Sequence, residues 1–432
     1  MTRINTSQEP ITQRSMFLNL SLFQFLCFVR RGIFYTFMIN YLYDLMNSAT
    51  LTTLLGTFNM IGSSLGQNLL WGKISDHYRL RAKLILAGES IAAITYFIVF
   101  HIHKSLIDMQ ADFSAGISLI IGLSVLEFFW SMSDVGWAAL LTDTTTTKTR
   151  GVVVGALNSI AALGRMIGII FAGFLYDNGN GFRSGTIFYI VIGMLAVSAT
   201  IMWITSKSRQ ETTAKTEEPI IKDEPEISAV RNSGKIYKWF LISLIVIIIG
   251  AACVNQIFLL FLPLADGLAA SAPEMSLILT AWTLGGMLTS LFCGRLADRF
   301  GRIKILFVGF LLAAVTPIFY GFAPDFLTMA FIYGLNGVAF WTIQTAGFAF
   351  AGDIIPENRR GRLLSRYNTV IALSWGPAGL LVGGPLADLQ TNRLGLSAHS
   401  AYTNTFYVSS IIVAIGTLLF AVKVGRFKAK TN

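Results

Sequence analysis

Residues 17–43 read FLNLSLFQFLCFVRRGIFYTFMINYLY, an almost unbroken run of apolar and aromatic side chains. A helix of about 20 apolar residues crosses the hydrocarbon core of a bilayer, so this run is long enough to span a membrane. Two full charges, Arg30 and Arg31, stand in its middle. The stretch predicts a membrane-spanning helix with two arginines at depth, and the rest of the chain indicates what protein contains it.

Apolar runs of similar length recur along the whole chain. Of its 432 residues, 54% are hydrophobic and 13% are charged, whereas soluble domains carry about 25% charged residues. Continuous apolar runs, rather than ten-residue alternations, favour helices over a membrane β-barrel. We therefore predict an all-α, multi-pass protein of the cell membrane with twelve transmembrane helices. The predicted spans are 17–42, 51–71, 83–102, 115–140, 151–176, 185–205, 238–263, 275–294, 303–322, 326–351, 363–387 and 402–422.

One polar segment divides these spans into two groups of six. Residues 206–237 read SKSRQETTAKTEEPIIKDEPEISAVRNSGKIY, which is charged and contains two prolines. Such composition is typical of a linker that cannot bury an apolar core. The sequence thus predicts an N-terminal six-helix bundle at 1–205, a cytoplasmic linker at 206–237 and a C-terminal six-helix bundle at 238–432.

The basic residues indicate the topology. Of the 33 Lys and Arg, 27 fall in the two tails and in the loops after spans 2, 4, 6, 8 and 10. Only Lys104, Arg183 and Arg393 fall on the other side. Because cytoplasmic loops carry the excess of positive charge, both termini are predicted to be cytoplasmic. The net charge of +10 follows from this rule, so we expect contact with an anionic lipid leaflet and no nucleic-acid binding.

Four landmarks occur twice, in the same order. GKISDHYRLRAK begins at Gly72 and GRLADRFGRIK at Gly294. Seven residues separate Asp143 from Arg150, and seven separate Asp353 from Arg360. The later landmarks are Asn158 and Asn368, then GFLYD ending at Asp177 and GPLAD ending at Asp388. Two parallel copies of a six-helix unit are the simplest account of this order.

The stretch GRLADRFGR at 294–302 resembles the signature loop of the major facilitator superfamily. Its first-half copy is degraded, because His77 and Arg79 replace the usual Arg and Gly. WGPAGLLVGG at 375–384 is similar to the glycine-proline motif of drug:proton antiporters, which those relatives carry in helix 5. In helix 5 this chain has LGRMIGIIFAG instead. The pattern is closest to the drug:proton antiporter and organic solute branches of the superfamily.

This resemblance implies a monomeric carrier with two pseudo-symmetric bundles that rock about a central site. It also implies that charged residues at the cytoplasmic loops act as a gate, with carboxylates accepting from helix N-termini and pairing with arginines. A structural alternative is that these residues only fix topology. The implied gating residues are Asp76, Arg79, Arg150, Asp298, Arg299, Arg302 and Arg360.

Charges inside the spans are functional candidates, because a charge at a helix centre costs about 2.5–3.5 kcal/mol on insertion scales. Arg30 and Arg31 point about 100° apart on a helix. Arg31 shares a mixed polar-aromatic face with Gln24 and Tyr35, so it is predicted to bind substrate. Arg30 is predicted to pair with an acid or backbone carbonyls. Arg165 is the third deep arginine, and its alternative role is a structural pair with Glu127. The predicted substrate-binding set of this unit includes Arg30, Gln24, Tyr35 and Arg165 beside Arg31.

Glu127 and Asp134 are the predicted proton-coupling residues, and Glu89 is a third candidate. Three deep arginines against these first two acids favour an anionic or zwitterionic substrate, since arginine binds carboxylates and phosphates through its planar fork. Further polar and aromatic side chains are predicted to line the cavity. They are Trp130, Asn255, Gln256, Tyr333, Asn336 and Gln344.

The leading hypothesis is a secondary active transporter for a small organic solute, coupled to protons, with export by antiport favoured over uptake. The alternatives are a proton symporter or an anion exchanger for an organic anion. A lipid flippase and a non-transporting membrane receptor belong to another class. Since the chain lacks a catalytic triad, phosphate loop or HExxH pattern, we predict that it is not an enzyme and needs no cofactor or metal.

Overall fold

A computed structural model describes residues 9–78, 81–145, 150–210, 229–355 and 360–425. Every regular element in these ranges is helical. The long apolar runs form helices because a helix satisfies all its backbone hydrogen bonds internally, which the bilayer core requires. The α-helices are α1 Glu9–Tyr35, α2 Met38–Met46, α3 Ala49–Leu65, α4 Gly72–Tyr78, α5 Arg81–Asp108, α6 Asp112–Thr144, α7 Arg150–Leu175, α8 Asn180–Arg183, α9 Thr186–Gln210, α10 Ala229–Ala252, α11 Asn255–Phe261, α12 Ala272–Phe300, α13 Arg302–Val315, α14 Phe326–Ile354, α15 Arg360–Trp375, α16 Gly384–Asp388 and α17 Ala398–Phe420.

Several of these helices continue through short π or 3₁₀ segments. A π-helical turn at Gly66–Trp71 joins α3 to α4, and a second at Gly379–Gly383 precedes α16. A 3₁₀ segment at Thr316–Phe322 extends α13. The predicted span of residues 17–42 is divided between α1 and α2, with the break at residues 36–37. The sequence pattern did not predict these irregular turns.

In the described parts of the chain, ten helices are long and apolar enough to cross a membrane, or eleven if one bent pair in α12 is a single span. The predicted span 51–71 is outside this set, although α3, the π-helical turn and α4 follow one another without a break. The all-α, multi-span architecture agrees with the prediction. The count of twelve and the cytoplasmic position of both termini stay predictions.

The chain divides into two compact units. The first contains residues 1–38 and 61–216, and the second contains residues 39–60 and 217–432. Residues 39–60 thus belong by their contacts to the second unit, although the chain on both sides of them belongs to the first. The second unit has an aromatic core in which Phe240 lies against Phe350, Tyr367 and Phe420.

Close helix crossings in the first unit determine which side chains meet. At Gly164 and Gly168 of α7, an added Cβ would meet the carbonyl oxygens of Phe25 and Val29 in α1. At Gly88 of α5, it would meet the backbone and Cβ of Ser133 in α6. Glycine allows helix backbones to approach closely in a membrane. The crossing at Gly88 places its neighbour Glu89 at α6.

Candidate functional site

Arg30 and Glu89 form an ion pair in the interior of the first unit. Nη1 of Arg30 lies 2.9 Å from Oε2 of Glu89, and the two side chains are 2% and 0% exposed. The other carboxylate oxygen of Glu89 accepts hydrogen bonds from Nε1 of Trp130 at 2.7 Å and Oγ of Ser133 at 2.9 Å. Burial and these donors together hold the Glu89 carboxyl group in one position, away from any solute.

Trp130 connects the two arginines. The guanidinium carbons of Arg30 and Arg31 lie 4.2 and 4.1 Å from the centroid of its ring. A planar guanidinium stacks on the face of an indole and is attracted by its quadrupole. Because the ring is held by its hydrogen bond to Glu89, the buried pair supports the position of Arg31.

Arg31 and Asp134 form the accessible ion pair of the same cluster. Nη2 of Arg31 lies 3.5 Å from Oδ1 of Asp134, and the side chains are 31% and 42% exposed. This distance is longer than a normal charge-assisted hydrogen bond. A solute that enters can therefore reach both groups and compete with either for its partner.

Glu127 lies on the same helix as Asp134, seven residues earlier. Its Oε1 accepts a hydrogen bond of 2.9 Å from the hydroxyl of Tyr35. Phe34, the neighbour of Tyr35, packs edge-on against Tyr96 of α5. Tyr96 was not predicted from the sequence, although it follows Glu89 by seven residues and so lies on the same face of α5. The predicted pair of Glu127 with Arg165 stays a prediction.

The remaining predicted residues of the first unit are placed differently. The Arg165 side chain is exposed on α7, and its backbone carbonyl lies against Gly32 of α1. Gln24 is buried at 7% exposure. Once Glu89 is counted as the partner of Arg30, the three arginines inside the spans are matched in number by three acids. The surplus of positive charge inferred from the sequence therefore disappears, because that count set the arginines against only Glu127 and Asp134.

The predicted residues of the second unit serve partly as packing. Asn336 accepts from Nε1 of Trp282 at 3.2 Å and donates to Oγ1 of Thr316 at 3.0 Å. Tyr333 stacks on Phe258 with ring centroids 4.1 Å apart. Both residues are thus held by neighbours in their own unit.

A small cavity opens inside the second unit. Its volume is about 20 Å³, and Asn255, Asn336, Gln344 and Trp375 contribute to its lining. Such a volume holds a single water molecule. Gln256 lies outside this lining, between Gly56 and Gly379, and its buried Oε1 has no hydrogen-bond partner among the described residues.

Two similar ion pairs lie near the predicted gates. Arg81 at the start of α5 contacts Asp143 at 3.1 Å, and Arg302 at the start of α13 contacts Asp353 at 2.6 Å. Each joins the basic start of one helix to a repeat landmark at the end of another. Arg302 was predicted as a gating residue, but neither pairing was predicted, although Asp143 and Asp353 are landmarks of the internal repeat.

The other predicted gating residues are only partly described. Asp298, at the end of α12, lies 3.6 Å from Arg302 at the start of α13, across the break at Gly301. Arg299 lies over the ring of Phe300. Arg79 and the side chains of Asp76, Arg150 and Arg360 lie outside the described residues. Their pairings stay predictions.

Comparison with known families gives a match along nearly the whole chain. The family model described as Major Facilitator Superfamily matches residues 20–269 and 248–432. Among curated relatives, the Multi-drug resistance efflux pump PmrA homolog of Lactococcus lactis subsp. lactis (strain IL1403) is 21% identical over 79% of this chain and 80% of its own length. Multidrug resistance protein 2 of Bacillus subtilis (strain 168) is 26% identical over 26% of this chain. Matches to the first four relatives span 17% to 29% of those proteins' lengths.

Solved structures share the fold at low sequence identity. A bacterial homolog of the human lysosomal transporter Spinster has a TM-score of 0.68 and 15% identity, covering 97% of this chain and 98% of that one. The nucleoside transporter NupG has a TM-score of 0.66 and 14% identity, covering 94% of this chain and 99% of that one. At these identities the likeness shows the fold alone.

Proposed function

The chain belongs to the major facilitator superfamily, and from that premise we propose that it exports a small organic solute in exchange for protons. The observation that carries the proposal is the accessible Arg31–Asp134 pair, with exposures of 31% and 42%, beside the Glu127–Tyr35 contact. The relative named as a multi-drug resistance efflux pump supports the direction. The transporter alternates access to this cluster between the two sides of the membrane.

The geometry favours a solute with both an anionic group and a cationic or hydrogen-donating group. The anionic group binds the planar fork of Arg31, and the other group binds Asp134 or Glu127. Protonation of these carboxylates removes the acceptor charge and releases the solute. Since proton and solute compete for the same oxygens, the physical consequence is antiport. A zwitterion fits this arrangement best, because Arg31 already has a counterion at 3.5 Å.

Proton symport of an organic anion is the second candidate, and the same ion pair supports it. A solute carboxylate that displaces Asp134 from Arg31 leaves that acid without its cation. The free carboxylate then takes a proton, because an unpaired charge is poorly tolerated away from water. In this case proton and solute bind together, and the coupled movement is uptake down a proton gradient.

Proteoliposomes distinguish the two candidates by the sign of proton movement. Vesicles contain pyranine, a fluorescent pH indicator, and start with equal pH on both sides. Amino acids, organic carboxylates and organic amines, first ranked by thermal shift of the purified protein, are then added outside. Antiport moves protons out as solute enters, so the lumen becomes alkaline; symport acidifies it.

The matched variants are Glu127→Gln with Asp134→Asn, and Asp108→Asn as the control. The double variant is expected to lose solute-driven proton movement, while Asp108→Asn keeps it, because Asp108 lies exposed beside Lys104 at the end of α5. Proton movement that survives in the double variant contradicts the proposal. Counterflow of an anion without any proton movement identifies an exchanger.

A further inference from the structure

The start of α3 is capped by a residue more than 330 positions away in the chain. Oδ1 of Asp388 accepts the backbone N–H of Ala49 at 2.9 Å, and Oδ2 accepts that of Thr50 at 2.9 Å. The hydroxyl of Ser48 also donates to Asp388 at 2.7 Å. The first N–H groups of a helix have no partner within the helix, and a carboxylate near that end is stabilised by the helix dipole.

The equivalent helix of the second repeat needs no such partner. Residues 48–51 read SATL and residues 271–274 read SAPE. In α12, Pro273 has no N–H to satisfy, and Ser271 with Glu274 forms a capping box, with the Ser271 N–H donating to Glu274 at 2.8 Å. SATL has neither device, and within it the Ser48 hydroxyl accepts only the N–H of Leu51, at 3.2 Å. The N–H groups of Ala49 and Thr50 therefore depend on Asp388, whereas the start of α12 is capped by its own residues.

Asp177, the repeat counterpart of Asp388, has a local contact. Its Oδ2 accepts a hydrogen bond of 3.1 Å from Nδ2 of Asn180, three residues later. Both aspartates end the corresponding landmark of their repeat, GFLYD and GPLAD. Among the described residues, the long-range cap is made by the second-repeat aspartate alone. Asp177 is therefore a matched control within the same chain.

Glycines of the stretch WGPAGLLVGG, at 375–384, also pack against residues 50–60. An added Cβ at Gly384 would meet Cα of Thr50, one at Gly379 would meet Cβ of Thr53, and one at Gly376 would meet the side chain of Met60. Residues 39–60 are joined by the chain only to the first unit. Their attachment to the second unit is therefore made of contacts that can break.

We propose that Asp388 is a releasable cap that fastens residues 48–50 to the end of α16, and that its release frees residues 39–60 from the second unit. Asp388 is half-buried, so water can replace it at the helix start when the contact opens. Small residues at the glycine contacts allow the segments to separate without pulling apart interlocked side chains. The proposal does not depend on which solute is carried or on proton coupling.

A cysteine at Thr53 reports the release. Thr53 is 0% exposed and lies against Gly379. The three native cysteines, Cys27, Cys253 and Cys293, are free and buried and are replaced by alanine. Labelling of Thr53→Cys with N-ethylmaleimide is followed by mass spectrometry on the purified full-length protein. Asp388→Asn is expected to raise the labelling rate about tenfold, because charge-assisted bonds to two N–H groups are weakened.

Two further variants separate the cap from general stability. Asp177→Asn is expected to leave the labelling rate unchanged. Thr50→Pro with Leu51→Glu copies the self-capped SAPE start, removes one N–H that Asp388 binds and keeps the helix start satisfied. It is expected to raise labelling without lowering the thermal unfolding midpoint. If Asp388→Asn fails to fold, the labelling rate in this variant alone tests whether the cap is releasable.

Three results overturn the proposal. One is slow labelling in both Asp388→Asn and the SAPE variant, which means that the cap holds nothing closed. Another is an equal rise in labelling in Asp177→Asn, which indicates a general effect of removing an acid. The last is slow labelling in a folded SAPE variant when Asp388→Asn does not fold.

Discussion

The interior of the first unit contains two ion pairs, whereas the predicted binding residues of the second unit are amides and a tyrosine. Arg30, Arg31, Glu89 and Asp134 form two ion pairs inside the first unit. Within the second unit, Asn336 bonds a tryptophan and a threonine. Burying a charge without a partner costs more than burying a neutral polar group without one. Each charged side chain inside the first unit therefore needs a partner in a defined position.

The two ion pairs of the first unit also differ from each other in exposure. This difference distinguishes the pair that supports the cluster from the pair that can bind a solute. Arg30 and Glu89 are adjacent to Arg31 and Asp134 in the same cluster, yet only the second pair is accessible. A sealed pair has no room for another partner, because both side chains are at most 2% exposed. An exposed pair at 3.5 Å can change partners, which is what binding and proton exchange require.

The sealed pair is expected to give the largest effect. Glu89→Ala leaves the Arg30 guanidinium buried without its counterion, and removing one partner of a buried pair costs about 3–5 kcal/mol. We expect a large fall in the thermal unfolding midpoint in detergent and poor expression. Replacing both members, as Arg30→Met with Glu89→Leu, removes both charges together and should restore much of the lost stability.

That double variant distinguishes the effect of an unpaired buried charge from the effect of the lost hydrogen bonds and packing of Glu89. If Glu89→Ala is as stable as the wild type, the pair is not the support of the cluster. If the double variant is as unstable as Glu89→Ala, the bonds of Glu89 to Trp130 and Ser133 matter more than the charge of Arg30.

The accessible pair is expected to affect transport more than stability. Arg31→Ala removes charge-assisted bonds worth about 1.5–3 kcal/mol, which corresponds to a loss of solute affinity of about 10- to 100-fold. The unfolding midpoint should change little, since Arg31 is 31% exposed. Arg31→Lys keeps the charge but loses the planar fork and the stack on Trp130, so its affinity should be intermediate. Thermal-shift titration with the solute selected in the liposome screen measures both quantities.

Normal solute affinity in Arg31→Ala would assign the cluster to structure alone. Equal affinity in Arg31→Lys and the wild type would mean that only the charge is used, and that the stack on Trp130 is incidental.

The sequence predicted much of the fold, because helices in a bilayer are identified by length and apolarity. It also predicted that Arg30 and Arg31 diverge, because an angle of about 100° between neighbours is a property of any helix. The sequence did not indicate how each helix is rotated about its axis relative to its neighbours. The meeting of Arg30 with Glu89 depends on how α1, α5 and α6 pack, which the crossing at Gly88 helps to fix.

The cap at Asp388 was hidden for a different reason. GPLAD was read as a repeat landmark, and a landmark indicates correspondence rather than contact. The difference between SATL and SAPE was a usable signal, since a missing capping box leaves N–H groups without partners. The sequence nevertheless did not indicate which acceptor would bind the N–H groups at the start of α3.

The smallest expected effect lies in the second unit and tests whether its polar residues are support. Asn336→Ala removes the acceptor of Trp282 and the donor to Thr316, and net hydrogen bonds of this kind contribute about 0.5–1.5 kcal/mol each. We expect the unfolding midpoint to fall by a few degrees, while solute affinity changes less than about threefold. Asn336→Asp is the useful companion, because it keeps the shape and the acceptor but introduces a charge. If Asn336→Ala reduces affinity as strongly as Arg31→Ala does, the solute also contacts the second unit directly, and the division between a charged binding unit and a neutral supporting unit is wrong.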